Sequence, residues 1–142
     1  VTFVDDYAHL PREISAVMAA AKTSDDSWSR VVAVFQPNRY NRMAVMSDEY
    51  SMAFVDADVV VITDIYASGT QKIEGVTGQL VVDAITRAQA NSQVHWHEER
   101  SSLAEFVNQL LHPGDVCISM GCGDIESLPR ELIDVRSGVM RS

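Results

Sequence analysis

Two arginines that follow a short apolar segment could bind an anion. Arg39 and Arg42 come shortly after the apolar residues 31–35, in an acidic chain with only 11 lysines and arginines and a net charge of −9. If a helix begins here, the i, i+3 spacing places both side chains on neighbouring positions of one face. Guanidinium groups bind carboxylates and phosphates through paired hydrogen bonds. The alternative is that they form ion pairs with carboxylates of the chain itself: Asp5, Asp6 or Asp64.

A second polar group stands near the start of the chain, in the segment DDYAHLP. Asp5 or Asp6 could bind a ribose hydroxyl or a metal-bound water, and Tyr7 could stack on a base. His9 could bind a ligand in its neutral form or accept a proton near pH 7. The structural alternative for Asp6 is that its carboxylate caps the helix that follows.

Two further segments offer weaker signals. Asp64 and Tyr66 end an apolar strand, where an aspartate either belongs to a polar site or caps a loop. The segment GCGD at 121–124 allows close backbone approach. It lacks the full G-x-G-x-x-G pattern and is therefore a weak indication of dinucleotide binding. We interpret Cys122, within this segment, as a packing residue.

Other patterns argue against several classes of site. His95 and His97 would point to one face of a strand, but no cysteine or third histidine stands near them and the HEER segment is predicted to be solvated. We therefore predict no metal site there. The sequence contains neither a G-x-x-x-x-G-K-[ST] phosphate loop nor a G-x-S-x-G nucleophile motif.

Length and composition predict one domain that spans residues 1–142. The pI of about 4.7 argues against nucleic-acid binding, and the apolar runs are too short for a membrane span. Cys117 and Cys122 are too few for a disulfide framework and are typical of reduced thiols in a cytosolic protein. Because the first residues predict a strand with no initiator Met or leader, we expect a piece of a longer protein.

Apolar periodicity predicts strands alternating with helices. Strands are expected at 2–5, 30–35, 57–66, 93–96 and 116–120, and helices at 11–23, 40–54, 80–88 and 103–111. Ser102 and Glu105 suggest a capping box, and the last helix begins after Asp124 or Ser127. This order predicts an α/β, Rossmann-like three-layer domain, with a mainly parallel sheet of about five to six strands and helices on both faces. Ligands bind beyond the carboxyl ends of such strands, where all four polar segments would meet.

Together the four segments resemble a known family in their order and spacing. DDYAHLP, FQPNRYNR, DIYASGT and GCGDI are similar to the motifs DDYGHHP, F-x-P-H-R-Y-T-R, D-x-Y-x-A-G-E and G-A-G-[DN]-I of Mur ligase C-terminal domains in peptidoglycan synthesis. The match is to members that join L-alanine to UDP-N-acetylmuramate, and it covers residues 1 to about 133. The chain departs from the family pattern at several positions: Ala8, Leu10, Asn38, Asn41 and Thr70.

The resemblance implies a bacterial, cytoplasmic, ATP-dependent carbon–nitrogen ligase of three domains. Residues 1–142 would be its amino-acid-binding and nucleotide-covering domain, inactive in isolation. The N-terminal and central domains of the same chain would bind UDP-N-acetylmuramate and ATP with Mg²⁺, the latter mostly through the central domain. The muramyl carboxylate would become an acyl phosphate that the L-alanine amine attacks. Neither nucleic acid nor membrane is implied as a partner.

The resemblance also implies roles for individual residues. Arg39 and Arg42 would hold the L-alanine carboxylate, while His9 would bind near the amino acid and orient or deprotonate its amine. Asp5, Asp6 and Tyr7 would face the nucleotide. Tyr40, Asp64 and Tyr66 would support the site.

The motifs bear differently on three other functions. A ligase that recycles murein tripeptide shares the fold and the first motif, but we expect its second motif to lack the pair formed by Arg39 and Arg42. A non-catalytic, Rossmann-type nucleotide-binding module stays open because several motif positions are substituted. A phosphohydrolase would need D-x-D-x-[TV] after the first strand, and the sequence there does not match it.

Overall fold

A single parallel sheet forms the centre of the domain in the computed structural model, which describes residues 1–24, 28–89 and 93–138. The strands in this part of the chain are β1 (Thr2–Asp6), β2 (Arg30–Phe35), β3 (Val59–Ile62), β4 (Val94–Trp96) and β5 (Asp115–Met120). Their order across the sheet is β1-β5-β2-β3-β4, and every pairing is parallel. The sheet predicted from the alternating pattern is therefore confirmed.

Helices connect the strands and cover both faces. They are α1 (Pro11–Lys22), α2 (Tyr40–Met46), α3 (Gln79–Ala88), α4 (Leu103–Leu110) and α5 (Leu128–Arg136). Short 3₁₀ turns span Ser47–Tyr50, Arg100–Ser102 and Asp124–Ser127. This three-layer α/β arrangement confirms the predicted fold class.

Strand β2 contributes side chains to two separate cores. Val31, Ala33 and Phe35 pack in the core that includes α1 and α3, whereas Val32 and Val34 pack in the core that includes α4 and α5. A strand covered on both faces needs apolar residues at every position, which explains why this segment lacks alternation.

The first helix follows its predicted pattern closely. Ile14, Met18 and Ala21 are buried and Val17 packs against the same core. The amino end of α1 is held by Glu13, whose carboxylate accepts hydrogen bonds from the amides of His9 (3.2 Å) and Leu10 (3.0 Å).

Two predicted details of the helices are wrong. The helix expected over 40–54 ends at Met46, where the hydroxyl of Ser47 bonds to the carbonyl of Met43 and the chain tightens into a 3₁₀ turn. Such bonding of serine to the preceding turn competes with regular helix. The predicted capping box is absent because the Ser102 hydroxyl lies 2.8 Å from His97 Nε2 instead.

The last helix begins after Ser127, which is one of the two predicted starts. Pro129 then falls in the first turn, where a missing amide hydrogen costs no helical bond. Cys117 and Cys122 are both free thiols. Burial raises the pKa of Cys117 to about 12, so this thiol is a core side chain.

An ion pair fixes the amino ends of the two central strands. The Arg30 guanidinium donates to both carboxylate oxygens of Asp115 at 3.0 and 2.8 Å and to the Leu110 carbonyl at 2.9 Å. The Asp115 carboxylate is buried and also accepts from the His112 amide at 2.7 Å. Removing either charge would leave the other poorly solvated.

We predict that Arg30→Ala lowers the free energy of unfolding by about 3 kcal/mol, because it leaves a buried carboxylate without its cation. Urea denaturation of the 142-residue chain measures this change. The control is Arg87→Ala, which removes an exposed pair with Asp48 and should cost under about 1 kcal/mol. Equal losses in the two variants would contradict the prediction.

The same pair predicts a pH dependence. Burial alone would raise the pKa of Asp115, but the bonds from Arg30 and the His112 amide outweigh it and hold that pKa below the ordinary value of an aspartate. A carboxylate with a lowered pKa stabilises the fold above its unfolded pKa and loses that contribution in acid. The difference in stability between wild type and Arg30→Ala should therefore shrink below about pH 4.

Candidate functional site

The four polar segments meet along the carboxyl edge of the sheet. The Gly121 amide donates to the Asp6 carbonyl at 3.3 Å, and the Gln36 amide donates to the Met120 carbonyl at 3.1 Å. Asn38 and Tyr66 form a parallel bridge beyond β2 and β3. The predicted convergence of these segments is therefore observed.

Gln36 joins the second segment to the fourth. Its side chain is buried, its Nε2 donates to Asp124 Oδ1 at 2.7 Å, and its Oε1 accepts from the Ile125 amide at 3.3 Å. A Cβ on Gly123 would lie 2.4 Å from Tyr66 Cγ and 2.7 Å from Gln36 Oε1. Packing between the loops therefore requires a glycine at position 123.

Arg100 lies outside the four segments and connects to the same edge of the sheet through hydrogen bonds. Its guanidinium donates to Asp124 Oδ1 at 3.1 Å and to both Glu131 oxygens at 2.9 and 2.8 Å. Only 22% of its side chain is exposed, so the prediction of a solvated HEER segment is wrong for this residue. No local pattern in the sequence reveals this role, since the partners of Arg100 lie 24 and 31 residues away.

Arg39 and Arg42 stand at the start of α2. Arg39 is exposed and occupies the N-cap position with φ 69°. Arg42 is partly buried, and its Nη1 is shielded from solvent without a hydrogen-bond partner. Neither arginine takes part in any ion pair within the described residues. The alternative prediction, in which they form ion pairs with Asp5, Asp6 or Asp64, is therefore wrong.

His9 and Tyr50 are hydrogen-bonded to each other, and Tyr50 lies within the electrostatic reach of Arg42. The Tyr50 hydroxyl donates to the His9 carbonyl at 2.6 Å. Burial raises the pKa of Tyr50, and the charge of Arg42 opposes that rise. His9 Nδ1 lies 3.2 Å from the Tyr7 carbonyl and 3.5 Å from Glu13 Oε1. The position of Tyr50 in the helix expected at 40–54 is compatible with burial, but helical spacing cannot reveal the partner of its hydroxyl.

The electrostatics of Glu13 connect it to the same group. Hydrogen bonds from the amides of Leu10 and His9 lower its pKa, and the charges of His9 and Arg42 add to the effect. Glu13 therefore stays a carboxylate beside His9. Sequence reasoning missed Glu13 because the N-cap residue is Leu10, whereas the capping-box pattern has serine or threonine three residues before the glutamate.

The three acidic and aromatic residues of the first segment point to different surroundings. Asp5 accepts a bond from the Ser119 hydroxyl at 2.9 Å, whereas Asp6 accepts one from the Ala8 amide at 2.9 Å. The two carboxylates have different partners because consecutive strand residues face opposite sides of a sheet. The bond from the Ala8 amide shows that Asp6 closes a local turn and does not cap α1. The ring of Tyr7 is exposed.

Asp5 borders a separate surface cavity of about 530 Å³ near the start of α5. The remaining lining residues are Glu126, Ser127, Pro129 and Arg130. The structure thus separates Asp5 from the group around Arg42.

The other predicted residues make loop contacts. Asp64 Oδ1 accepts from the amides of Ile65 at 2.8 Å and Gly78 at 3.1 Å, which is the loop-capping alternative. Tyr40 is buried, and burial raises its pKa, with a further contribution from the charge of Asp64. The ring of Tyr66 packs over Gly123.

The described part of the chain holds no cluster of three or more His, Cys, Asp or Glu side chains that could bind a metal ion. None of the helices described is long and apolar enough to span a membrane.

The chain folds as an α/β domain in which Arg39 and Arg42 follow the central strand and form no ion pair within the described residues. The chain belongs to the Mur ligase family, since residues 1–123 match the family model described as Mur ligase, glutamate ligase domain.

Curated relatives agree with this assignment. The chain is 44% identical over 135 residues to the UDP-N-acetylmuramate–L-alanine ligase of Gloeothece citriformis, covering 94% of this chain and 27% of that protein. It is 42% identical over 130 residues to the ligase of that name from Rickettsia felis, covering 91% of this chain and 27% of the relative. The chain therefore spans about a quarter of the length of these relatives.

Solved structures share the fold. The UDP-N-acetylmuramate–alanine ligase of Thermotoga maritima superposes with a TM-score of 0.70 at 24% identity, over 97% of this chain and 27% of that one. A murein peptide ligase from Psychrobacter arcticus gives a TM-score of 0.70 at 18% identity, over 99% and 28% of the two chains.

We predict that Gly123→Ala lowers the free energy of unfolding by about 1–3 kcal/mol, because its new Cβ overlaps the ring of Tyr66. Denaturant unfolding measures the loss. In a Tyr66→Ala background the ring is gone, so the same substitution should cost less. Equal costs in the two backgrounds would show that the contact with Tyr66 is not the cause.

Proposed function

We propose that this chain is the amino-acid-binding and nucleotide-covering domain of a longer ATP-dependent ligase that joins L-alanine to UDP-N-acetylmuramate. Relatives of 40–44% identity carry that name. The observation that carries the proposal is Arg42, whose Nη1 is buried without an acceptor at the carboxyl edge of the sheet.

A guanidinium nitrogen that is shielded from solvent and has no acceptor is costly, so a ligand that supplies an anionic oxygen there gains from binding. L-Alanine offers few groups for recognition besides its carboxylate and ammonium. Arg42 would bind the carboxylate from a partly buried position, and Arg39 would approach from the exposed side. Each charge-assisted hydrogen bond contributes about 1.5–3 kcal/mol.

His9 is placed to act on the amine of the amino acid. Its carbonyl accepts a hydrogen bond from Tyr50, whose hydroxyl feels the charge of Arg42, and Glu13 Oε1 lies 3.5 Å from His9 Nδ1. A neutral imidazole can accept a hydrogen bond from the amine, which orients it, and can take up its proton. The L-alanine nitrogen would attack the carbonyl carbon of the muramyl acyl phosphate, so that the carbon–nitrogen bond forms as the carbon–oxygen bond to the phosphoryl group breaks and inorganic phosphate leaves.

ATP with Mg²⁺ would activate the muramyl carboxylate in this reaction, and the central domain would hold both. Of the residues expected to face the nucleotide, Tyr7 has the exposed ring that base stacking requires. Asp6 orders the turn that leads to Tyr7, while Asp5 opens on the separate cavity beside α5. Tyr40, Asp64 and Tyr66 would support the arginines through their loop contacts.

We predict that Arg42→Ala, in the full-length gene product, raises the KM for L-alanine roughly 10- to 150-fold, as expected for the loss of one charge-assisted bond. Phosphate release from ATP with UDP-N-acetylmuramate present measures it. Arg87→Ala removes an equal charge from an exposed pair on α3 and should leave KM unchanged. Unaltered dependence on L-alanine in Arg42→Ala would refute the carboxylate-binding role.

The choice of acceptor distinguishes the remaining functions. Phosphate release by the wild type should depend on L-alanine and be weaker with glycine or L-serine. Release with murein tripeptide alone would assign the chain to the recycling ligases. No release with any acceptor would favour a non-catalytic nucleotide-binding module.

A further inference from the structure

The loop that follows β3 holds the start of α2. Its residues 66–70 bond to the residues on each side of Arg39 and to Arg39 itself. These bonds are Arg39 N–H to the Tyr66 carbonyl (2.9 Å), Asn38 Nδ2 to Ser68 Oγ (2.6 Å) and Tyr40 N–H to Thr70 Oγ1 (3.1 Å). The position of the first arginine thus depends on a loop more than 25 residues further along the chain.

The hydroxyl of Thr70 accepts a hydrogen bond from the first amide of α2, as the side chain of an N-cap residue does in other helices. The N-cap position of α2 is Arg39, and a guanidinium has no acceptor to offer the first helical amides. Thr70 Oγ1 accepts from the Tyr40 amide and donates to the Ala67 carbonyl at 2.5 Å. Its hydroxyl therefore ties the first amide of α2 to the turn at 67–70.

The backbone of Arg39 needs this support. Its φ of 69° and ψ of 124° lie in a region that residues other than glycine seldom adopt. Such conformations persist where surrounding contacts hold them. Arg42 follows three residues later, so a change in the first turn of α2 moves both guanidinium groups.

We propose that Thr70 is a positioning residue for the arginine pair: by capping α2 from the neighbouring loop, its hydroxyl fixes the direction of Arg39 and Arg42. The inference rests on the proposed function, since it takes the carboxylate of L-alanine as the ligand of the pair. Thr70 acts through α2 and does not touch the amino acid.

Kinetics of the full-length ligase test this role. Thr70→Val should raise the KM for L-alanine about fivefold, the loss expected from one helix cap, and leave the KM for ATP unchanged. Thr70→Ser keeps the hydroxyl and should restore the wild-type KM. Thr86→Val removes a hydroxyl that bonds to Val82 within α3 and should change neither KM. A purely destabilising change would lower kcat through the active fraction and leave the KM for L-alanine unaltered.

Hydrogen exchange provides a readout independent of activity. In the 142-residue chain, the Tyr40 amide should exchange faster in Thr70→Val than in wild type, because its acceptor is gone. Unchanged exchange, or faster exchange with an unchanged KM for L-alanine, would overturn the positioning role. If Thr70→Val does not fold, Thr70→Ala gives the same test without the bulk of a second methyl group.

Arg42→Ala in the same assay separates this inference from the proposed function. No effect of Arg42→Ala would remove the carboxylate-binding role on which the inference rests. A large effect of Arg42→Ala with none of Thr70→Val would overturn only the positioning role.

Discussion

The hydrogen bonding of β2 between β5 and β3 is the constraint on which the site depends. Residues 31–35 are buried on both faces, so the strand cannot slip or turn without exposing a core. Arg30 anchors its amino end to Asp115, and Gln36 anchors its carboxyl end to Asp124. Because both ends are fixed, the segment that carries Arg39 and Arg42 leaves the sheet at a defined point.

The arginines of the domain divide into two kinds by their surroundings. Arg30 and Arg100 each meet carboxylates with several donors and so serve the fold. Arg42 also places a guanidinium nitrogen out of solvent, yet no acceptor of the described residues meets it. The other half-buried arginines of the described residues have acceptors, and the lack of one at Arg42 Nη1 is the reason to regard Arg42 as part of a binding site.

Local patterns in the sequence predicted what local physics determines. The bounds of β2 follow from its unbroken apolar run, and the buried face of α1 follows from the spacing of Ile14 and Met18. Convergence at one edge follows from parallel strands alone. The roles of Arg100 and Gln36 were not predicted because their partners come from distant segments. The early end of α2 was not predicted because it depends on the hydrogen bond from the Ser47 hydroxyl to the Met43 carbonyl. The meeting of Tyr50 with His9 likewise joins residues 41 positions apart.

The departures from the family motifs are easier to understand from the contacts than from the sequence. Asn38 and Thr70 replace a histidine and a glutamate of the pattern, and each bonds across the same pair of loops. The amide of Asn38 is buried, but the hydroxyl of Ser68 accepts its hydrogen bond. Leu10 replaces a second histidine, and its backbone amide is taken up by Glu13. The substitutions therefore leave the loops joined around the arginines, and they change the polar groups near the site without removing the elements that position it.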